Sequence, residues 1–401
     1  MSYEEESSGD RILGRIRGGR PGPTLLCIGA LHGNETAGVR GIEAVLERLR
    51  GRGGEMSGEF VALVGNRQAL ARGRRYVDRD LNRAWTTDRL GVLVRSREGS
   101  AEDREQRELI AAIDGVVRSA RGPVYVLDLH TTSGSGGTFS TFGDTLPNRD
   151  FAAHIPAPMI LGLEELVDGT LLAFLGQRGL VAVVFESGQH DEPAAVDRAE
   201  AAIWIAVSAA GLLPQARLPE AADGWKRIHR DCRELPRALE MRYRHDIGRE
   251  DGFRMKPGYR NFQPVAAGEV VAMDAKGEVR VREASRILMP LYQEQGDDGF
   301  FLVREFSPFW LWLSSALRRL KVDRVAHWLP GVQRLPDTPD GVVVDKRVAR
   351  WYAVQFFHLL GFRKEEDAGS RVVLRRRRFD DARFVDLGPP PETLGDGPPP
   401  A

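Results

Sequence analysis

Cysteine, lysine and long apolar runs are all scarce in this chain of 401 residues. With Cys27 and Cys232 as its two cysteines, it can build neither a disulfide framework nor a thiolate metal site. Cys27 falls inside an apolar run, which suits a reduced and buried thiol. No run of about 18 apolar residues is present to span a bilayer. The opening segment Met1–Asp10 is acidic, without the basic start and apolar stretch of a secretory signal. The expectation is a soluble, cytoplasmic protein with no integral membrane segment. An excess of charge is missing too: Lys plus Arg and Asp plus Glu both number 57, so no overall field draws in nucleic acid or a membrane surface. Any charge-based function must be local. Only six of those cations are lysine; arginine supplies the rest. Much of that is compositional bias, but arginine is also the residue suited to gripping carboxylates in a bidentate fork.

What is present alternates. Short apolar runs at Thr24–Leu31, Phe60–Gly65, Val124–Leu129 and Leu180–Phe185 read as buried strands. Between them, Thr36–Leu49, Glu102–Arg118 and Ala194–Leu212 carry apolar residues at helical spacing, and such alternation builds a mostly parallel sheet with crossover helices. The expected organisation is a disordered acidic tail (1–10), an α/β catalytic domain (11–215) and a linker (216–248), followed by a small β domain (249–306). A C-terminal extension (307–385) and a disordered Pro-rich tail (386–401) complete it. In the extension, Pro308–Leu320 and Val348–Leu360 read as helices and Val372–Phe379 as a last strand.

Four motifs carry chemistry. Leu31-His32-Gly33-Asn34-Glu35 sits where the first strand gives way to a helix, the end of an α/β sheet where ligands bind. An HxxE alone is as readily a solvated turn. Asp128-Leu129-His130 ends another buried strand; with it, His32, Glu35 and His130 make a His₂Glu set that leaves a catalytic zinc one open position. Asp128 would orient an imidazole. Phe185-Glu186-Ser187-Gly188 puts a carboxylate at the end of a third strand, where burial is costly unless the group has a partner or a task such as general base. Arg75-Tyr76-Val77-Asp78-Arg79-Asp80-Leu81-Asn82-Arg83 would ordinarily be a solvated loop. Beside a metal it supplies guanidinium forks for a substrate carboxylate and a developing oxyanion.

These elements, in this order, resemble the succinylglutamate desuccinylase/aspartoacylase family of zinc carboxypeptidase-like hydrolases. The likeness spans residues 24–190, and 257–303 is similar to the family's C-terminal domain. It implies an α/β fold with a mostly parallel sheet flanked by helices, a smaller C-terminal β-rich domain and appended helices. It also implies one Zn²⁺ per chain on His32, Glu35 and His130, Glu186 as general base and acid, and Arg75 polarising the scissile carbonyl. Asn82 and Arg83 would hold a substrate carboxylate, Asp80 would position the loop, and Tyr292 would match a tyrosine that reaches the site. The implied activity is hydrolysis of the amide or ester bond of a small, carboxylate-bearing N-acyl compound, with homo-oligomerisation left open. Two departures stand out. Gly176 occupies the position of a family arginine that grips a second substrate carboxylate, with Arg178 the nearest cation, and the family's Asn-Pro is Asn66-Arg67 here.

A carboxypeptidase or peptide amidase on a larger substrate, and a non-catalytic metal-binding scaffold, are the competing readings. The Gly/Ser-rich Thr131–Thr138 lacks the lysine of a phosphate loop and reads as site lining. His190 reads as a loop-capping neighbour of the site. The aromatic cluster Phe309–Leu313 with Trp328 and Trp351 reads as core or subunit interface. The run Arg375–Arg378 reads as the guarded edge of a sheet; with no aromatics interleaved, it does not read as a nucleic-acid surface.

Overall fold

The computed structural model describes residues 11–96, 98–248, 250–335, 338–348, 353–377 and 380; the two expected tails, Trp351 and Arg378 lie outside them. The first half begins with β1 (Ile12–Arg17), β2 (Arg20–Gly29), α1 (Ala37–Leu49), β3 (Ser57–Val64), α2 (Arg67–Ala71), α3 (Thr87–Arg95) and α4 (Ala101–Ser119). It continues through β4 (Val124–Thr132), β5 (Phe139–Thr141), α5 (Leu146–Ala152), β6 (Met159–Leu161), α6 (Leu171–Gln177), β7 (Val181–Gln189) and α7 (Pro193–Ala209). In the sheet the order is β1-β3-β2-β4-β7-β5-β6. The central neighbours β3, β2, β4 and β7 are all parallel.

Alternation along the strands explains the two helical layers. Leu25 and Cys27 of β2 face α1 and α7, packing with Ile42, Val45, Ile203 and Trp204. Leu26 and Ile28 face the other way, onto Leu109 and Ile113 of α4 and Leu175 of α6. Strands covered on both faces read as near-continuous apolar runs, as the four expected strands do apart from Thr24 and Asp128. Helix α4 opens on a reciprocal capping box between Ser100 and Asp103, which satisfies two otherwise unpaired amides.

Beyond α7 several expectations need correcting. The stretch read as a linker folds into α8 (Pro219–Cys232) and β8 (Ala238–Asp246). Ala221, Gly224, Ile228 and Cys232 form the buried stripe of α8, close enough to α7 that a Cβ on Gly224 would fall 2.9 Å from that of Ala201. Strands β9 (Arg254–Met255), β10 (Pro264–Val265), β11 (Val270–Asp274), β12 (Gly277–Arg280), β13 (Ser285–Leu288) and β14 (Asp298–Glu305) follow. Only β9, β11 and β12 form a separate antiparallel sheet; β8, β14, β13 and β10 extend the main sheet from β6 to a total of eleven strands. The β unit is thus continuous with the catalytic sheet through backbone hydrogen bonds.

The extension contains α9 (Pro308–Arg319), β15 (Val332–Leu335), β16 (Thr338–Asp345), α10 (Ala353–Leu359), β17 (Phe362–Ala368) and β18 (Arg371–Arg376), with a four-stranded sheet ordered β15-β16-β18-β17. Arg375 and Arg376 therefore lie on an interior strand, not an edge. Arg376 meets Asp323 at 3.0 Å, and Arg377, just past the strand, is buried among Asp144, Glu164 and Glu165. The aromatic cluster on α9 faces outward rather than into a core, with Phe309 57% and Trp312 65% exposed. No helix among the described residues is long and apolar enough to cross a membrane.

A buried ion network joins the extension to the catalytic sheet. Asp144 accepts from Arg149 at 2.9 Å and from Arg318 at 2.8 Å, while Arg318 also reaches Asp380 at 3.2 Å. Burial alone would raise the Asp144 carboxyl, but Arg149, Arg318 and Arg377 together hold it well below the usual carboxylate range. An Asp144→Asn exchange removes the carboxylate those three guanidiniums share, and removing one partner of a buried ion pair costs about 3–5 kcal/mol. In the unfolded chain this Asp ionises near ~3.9. Its contribution is therefore complete above that pH and is lost as the pH falls toward the lower folded value. The expected result in denaturant unfolding is a gap between wild type and variant at pH 7 that narrows on acidification below pH 4.

Candidate active site

The motif residues converge at the carboxyl ends of the four central parallel strands. His32 and Glu35 lie in the tight turn between β2 and α1, one step before the helix they were expected to open, with the Glu35 amide bonded to the His32 carbonyl at 3.1 Å. That turn is pressed against α2: a Cβ on Gly33 would sit 2.1 Å from the Ala69 backbone. Ala30, just before it, takes a left-handed φ of +55°, a cost tolerated where surrounding structure fixes the backbone. His130 comes from β4 and Glu186 from β7, where the two are direct register partners.

Glu35 is the hub. Its Oε1 lies 2.8 Å from His32 Nδ1, its Oε2 lies 3.0 Å from His130 Nδ1, and the Thr131 amide donates to Oε2 at 3.1 Å. The far side of each ring is held by another carboxylate: His32 Nε2 by Asp80 at 3.1 Å and His130 Nε2 by Asp128 at 2.9 Å. Ligating atoms of His32, Glu35 and His130 all lie within 4.8 Å of one another, and all three residues are buried. A neutral imidazole has one N–H and cannot donate to two carboxylates. A cation among these atoms resolves the conflict, since each Nδ1 lone pair would face it while each Nε2–H donates to its aspartate. The donor set fits a divalent metal with nitrogen and oxygen preference, such as zinc.

Around this group the charges are balanced by arginine. Arg75 donates from Nε and Nη2 to Asp80 Oδ2 at 3.1 and 3.0 Å and from Nη1 to Glu35 at 3.4 Å. Burial opposes the Asp80 charge, yet Arg75 and His32 hold that carboxyl well below its ordinary range. Glu186 goes the other way. Burial pushes it up to about 7, Glu35 adds to this, and His130, His32 and Arg75 oppose it. Its Oε2 is buried with no hydrogen-bond partner among the described residues.

His32, Glu35, Arg75, Asn82, Arg83, His130 and Glu186 line one cavity of about 120 Å³. Asn82 and Arg83 reach it with prior commitments. The Asn82 side-chain oxygen accepts from the Leu171 amide at 2.9 Å, capping the start of α6, and Arg83 pairs with Asp298. Tyr292 does not reach the cavity. Its hydroxyl donates to the Lys256 carbonyl at 2.7 Å and accepts from the Tyr259 amide at 2.9 Å, on the outer side of the loop. Neighbouring Gln293 points inward instead, accepting from Asn34 at 2.9 Å and lying 3.1 Å from His190 Nε2. His190 Nδ1 lies 2.7 Å from the Thr131 hydroxyl, the capping role its position suggested. Gly176 has open space around it, and Arg178 turns away to Asp114.

Two further features had no local signal. Glu102, at the start of α4, is fully buried and accepts from the amides of Val77, Asp78 and Arg79 at 2.7, 2.9 and 3.2 Å and from the Asn66 side chain at 3.1 Å. It fixes the arginine-rich loop, yet in sequence it is one acid among many. Segment 289–298, from the C-terminal β unit, adds Met289, Leu291, Gln293 and Asp298 to the lining. A larger cavity, about 580 Å³, lies between the extension and β8 but contains none of these groups.

Residues 21–200 match the model of the Succinylglutamate desuccinylase/Aspartoacylase catalytic domain. The chain is 30% identical over 111 residues to a succinylglutamate desuccinylase of Pseudomonas aeruginosa, covering 27% of this chain and 31% of that protein. It is 33% identical over 177 residues to a probable aspartoacylase of Prochlorococcus marinus, covering 42% of this chain and 54% of that one. The matches thus span about a third to a half of these relatives. A crystal structure of a succinylglutamate desuccinylase/aspartoacylase from Rhodobacter sphaeroides superposes with a TM-score of 0.53 at 17% identity, over 74% of this chain and 88% of that one; this is a likeness of fold.

If Asp128 orients His130 as a metal ligand, Asp128→Asn should weaken metal affinity roughly ten- to a hundredfold. His130→Ala should abolish stoichiometric binding; competition with a chelating dye measures both.

Proposed function

We propose that this protein is a zinc-dependent hydrolase of a small, carboxylate-bearing N-acyl compound, with His32, Glu35 and His130 as the ligands of one Zn²⁺. The observation that carries the reading is the unpartnered, buried Glu186 oxygen beside the His₂Glu group, in the same cavity as Arg75. Bound there, zinc would acidify a water and polarise a carbonyl oxygen. The chain's own residues supply the rest. Glu186, whose carboxyl is destabilised as an anion by burial, takes the proton of the water that adds to the acyl carbon. It returns that proton to the leaving nitrogen as the C–N bond breaks. Arg75, fixed by Asp80, stabilises the charge that develops on the attacked oxygen. Arg83, held in place by Asp298, and Asn82 orient the substrate carboxylate.

An ester would follow the same course with oxygen as leaving atom. The cavity's small volume, about 120 Å³, favours a small substrate over the peptide expected of a carboxypeptidase or peptide amidase. A scaffold role would leave unexplained why an unpaired carboxylate is kept buried beside the metal group. Both cysteines are buried and free, which supports a cytoplasmic location.

In the proposed mechanism Glu186→Gln keeps the metal but loses the proton carrier. Turnover of N-acyl amino acids should fall roughly 10²- to 10⁴-fold, with metal content by emission spectroscopy unchanged. Unaltered turnover in that variant, or activity that survives complete chelation, would defeat the proposal.

A further inference from the structure

The cavity is unevenly furnished. Beside its charged groups the cavity is lined by the apolar side chains of Leu163, Val167, Leu172, Met289, Leu291 and Phe301. Val167, Leu172 and Phe301 are buried, anchored in the cores beneath them.

Charge at the mouth runs against a second anion. Among the described residues the cavity's only cations besides the histidines are Arg75 and Arg83. Arg75 is already bonded to Asp80 and Glu35, and Arg83 to Asp298, which Arg244 also contacts. The carboxylates of Asp297, Asp298 and Glu164 border the same space. One substrate carboxylate can be held by Arg83 and Asn82. A second would lie against apolar side chains and acids, where an unpaired charge is strongly disfavoured.

The wall is also fixed in place. Leu163 is followed by Glu164 and Glu165, and Arg377 at the end of β18 donates to both, at 3.0 and 2.8 Å. Arg377 is itself anchored to the Phe362 carbonyl at 3.0 Å. The C-terminal extension thus clamps the segment that forms the wall, so little ordering is needed when an apolar group enters.

From this lining we infer that the substrate carries one carboxylate and, at its other end, an uncharged apolar group received by Leu163, Val167, Leu172, Met289, Leu291 and Phe301. The inference rests on the proposed hydrolase site but concerns what the cavity binds, so it is tested by binding rather than turnover. Calorimetric titration of the protein as purified would compare three ligands of similar length: 4-methylpentanoate, succinate and 5-aminopentanoate. Burying each methylene in an apolar site improves affinity roughly three- to fourfold, so the apolar acid should bind at least tenfold tighter than both others. Leu163→Ala should weaken 4-methylpentanoate about fivefold while leaving succinate unchanged, a selective loss that mere loosening of the fold would not give. Equal or tighter binding of succinate or of the amino acid overturns the inference. If the apolar preference holds but no N-acyl compound is hydrolysed, the fault lies with the proposed function and not with the apolar wall.

Discussion

A single buried carboxylate, Glu35, ties the site together. Its two oxygens face the imidazoles of His32 and His130 and take a hydrogen bond from Thr131, so it links the turn after β2 to the end of β4. Burial alone would raise the Glu35 carboxyl; the two histidines hold it well below its usual range. A carboxylate so placed is tolerable only where positive charge is concentrated, and every neighbour serves that demand. The imidazoles are backed by Asp80 and Asp128, and Arg75 offsets the acids on one side. Glu186, without such a partner, is the member of the group whose charge is least supported, which suits a residue that moves a proton.

Rigidity is supplied from outside the motif. Glu102 holds the loop that carries Arg75, Asn82 and Arg83 by accepting three of its backbone amides. A loop full of charged side chains would otherwise be solvated and mobile. The C-terminal β unit contributes the roof, because β8 and β14 continue the main sheet and so fix segment 289–298 over the strand ends. The extension grips the flank through Arg377 and the Asp144 network. Three layers far apart in the chain thereby determine one small cavity.

Where the physics is local, the sequence reveals it. Strands β2, β3, β4 and β7 are continuous apolar runs because both faces are covered, and α1 and α4 show helical periodicity because one face is. His32, Glu35, His130 and Glu186 stand out because polar residues at the ends of buried strands are rare without a reason. Helix α8 hid within a charged, Pro-bounded stretch because its buried stripe is small and narrow. Strand β17, Phe-Arg-Lys-Glu-Glu-Asp-Ala, has no apolar alternation and is a strand only because β18 lies beside it.

The sequence by itself determined the α/β class, the strand ends that bear the site and the four residues at its centre, since each depends on side chains a few positions apart. Only the tertiary structure decided that Glu102 carries the arginine loop, that Gln293 rather than Tyr292 turns inward, and that Arg375 and Arg376 lie inside a sheet. It alone brought apolar side chains and the charged groups into the lining of one cavity. Those outcomes depend on contacts between segments as far as 259 residues apart, as between Asn34 and Gln293, and no local pattern encodes which distant partner a side chain will meet.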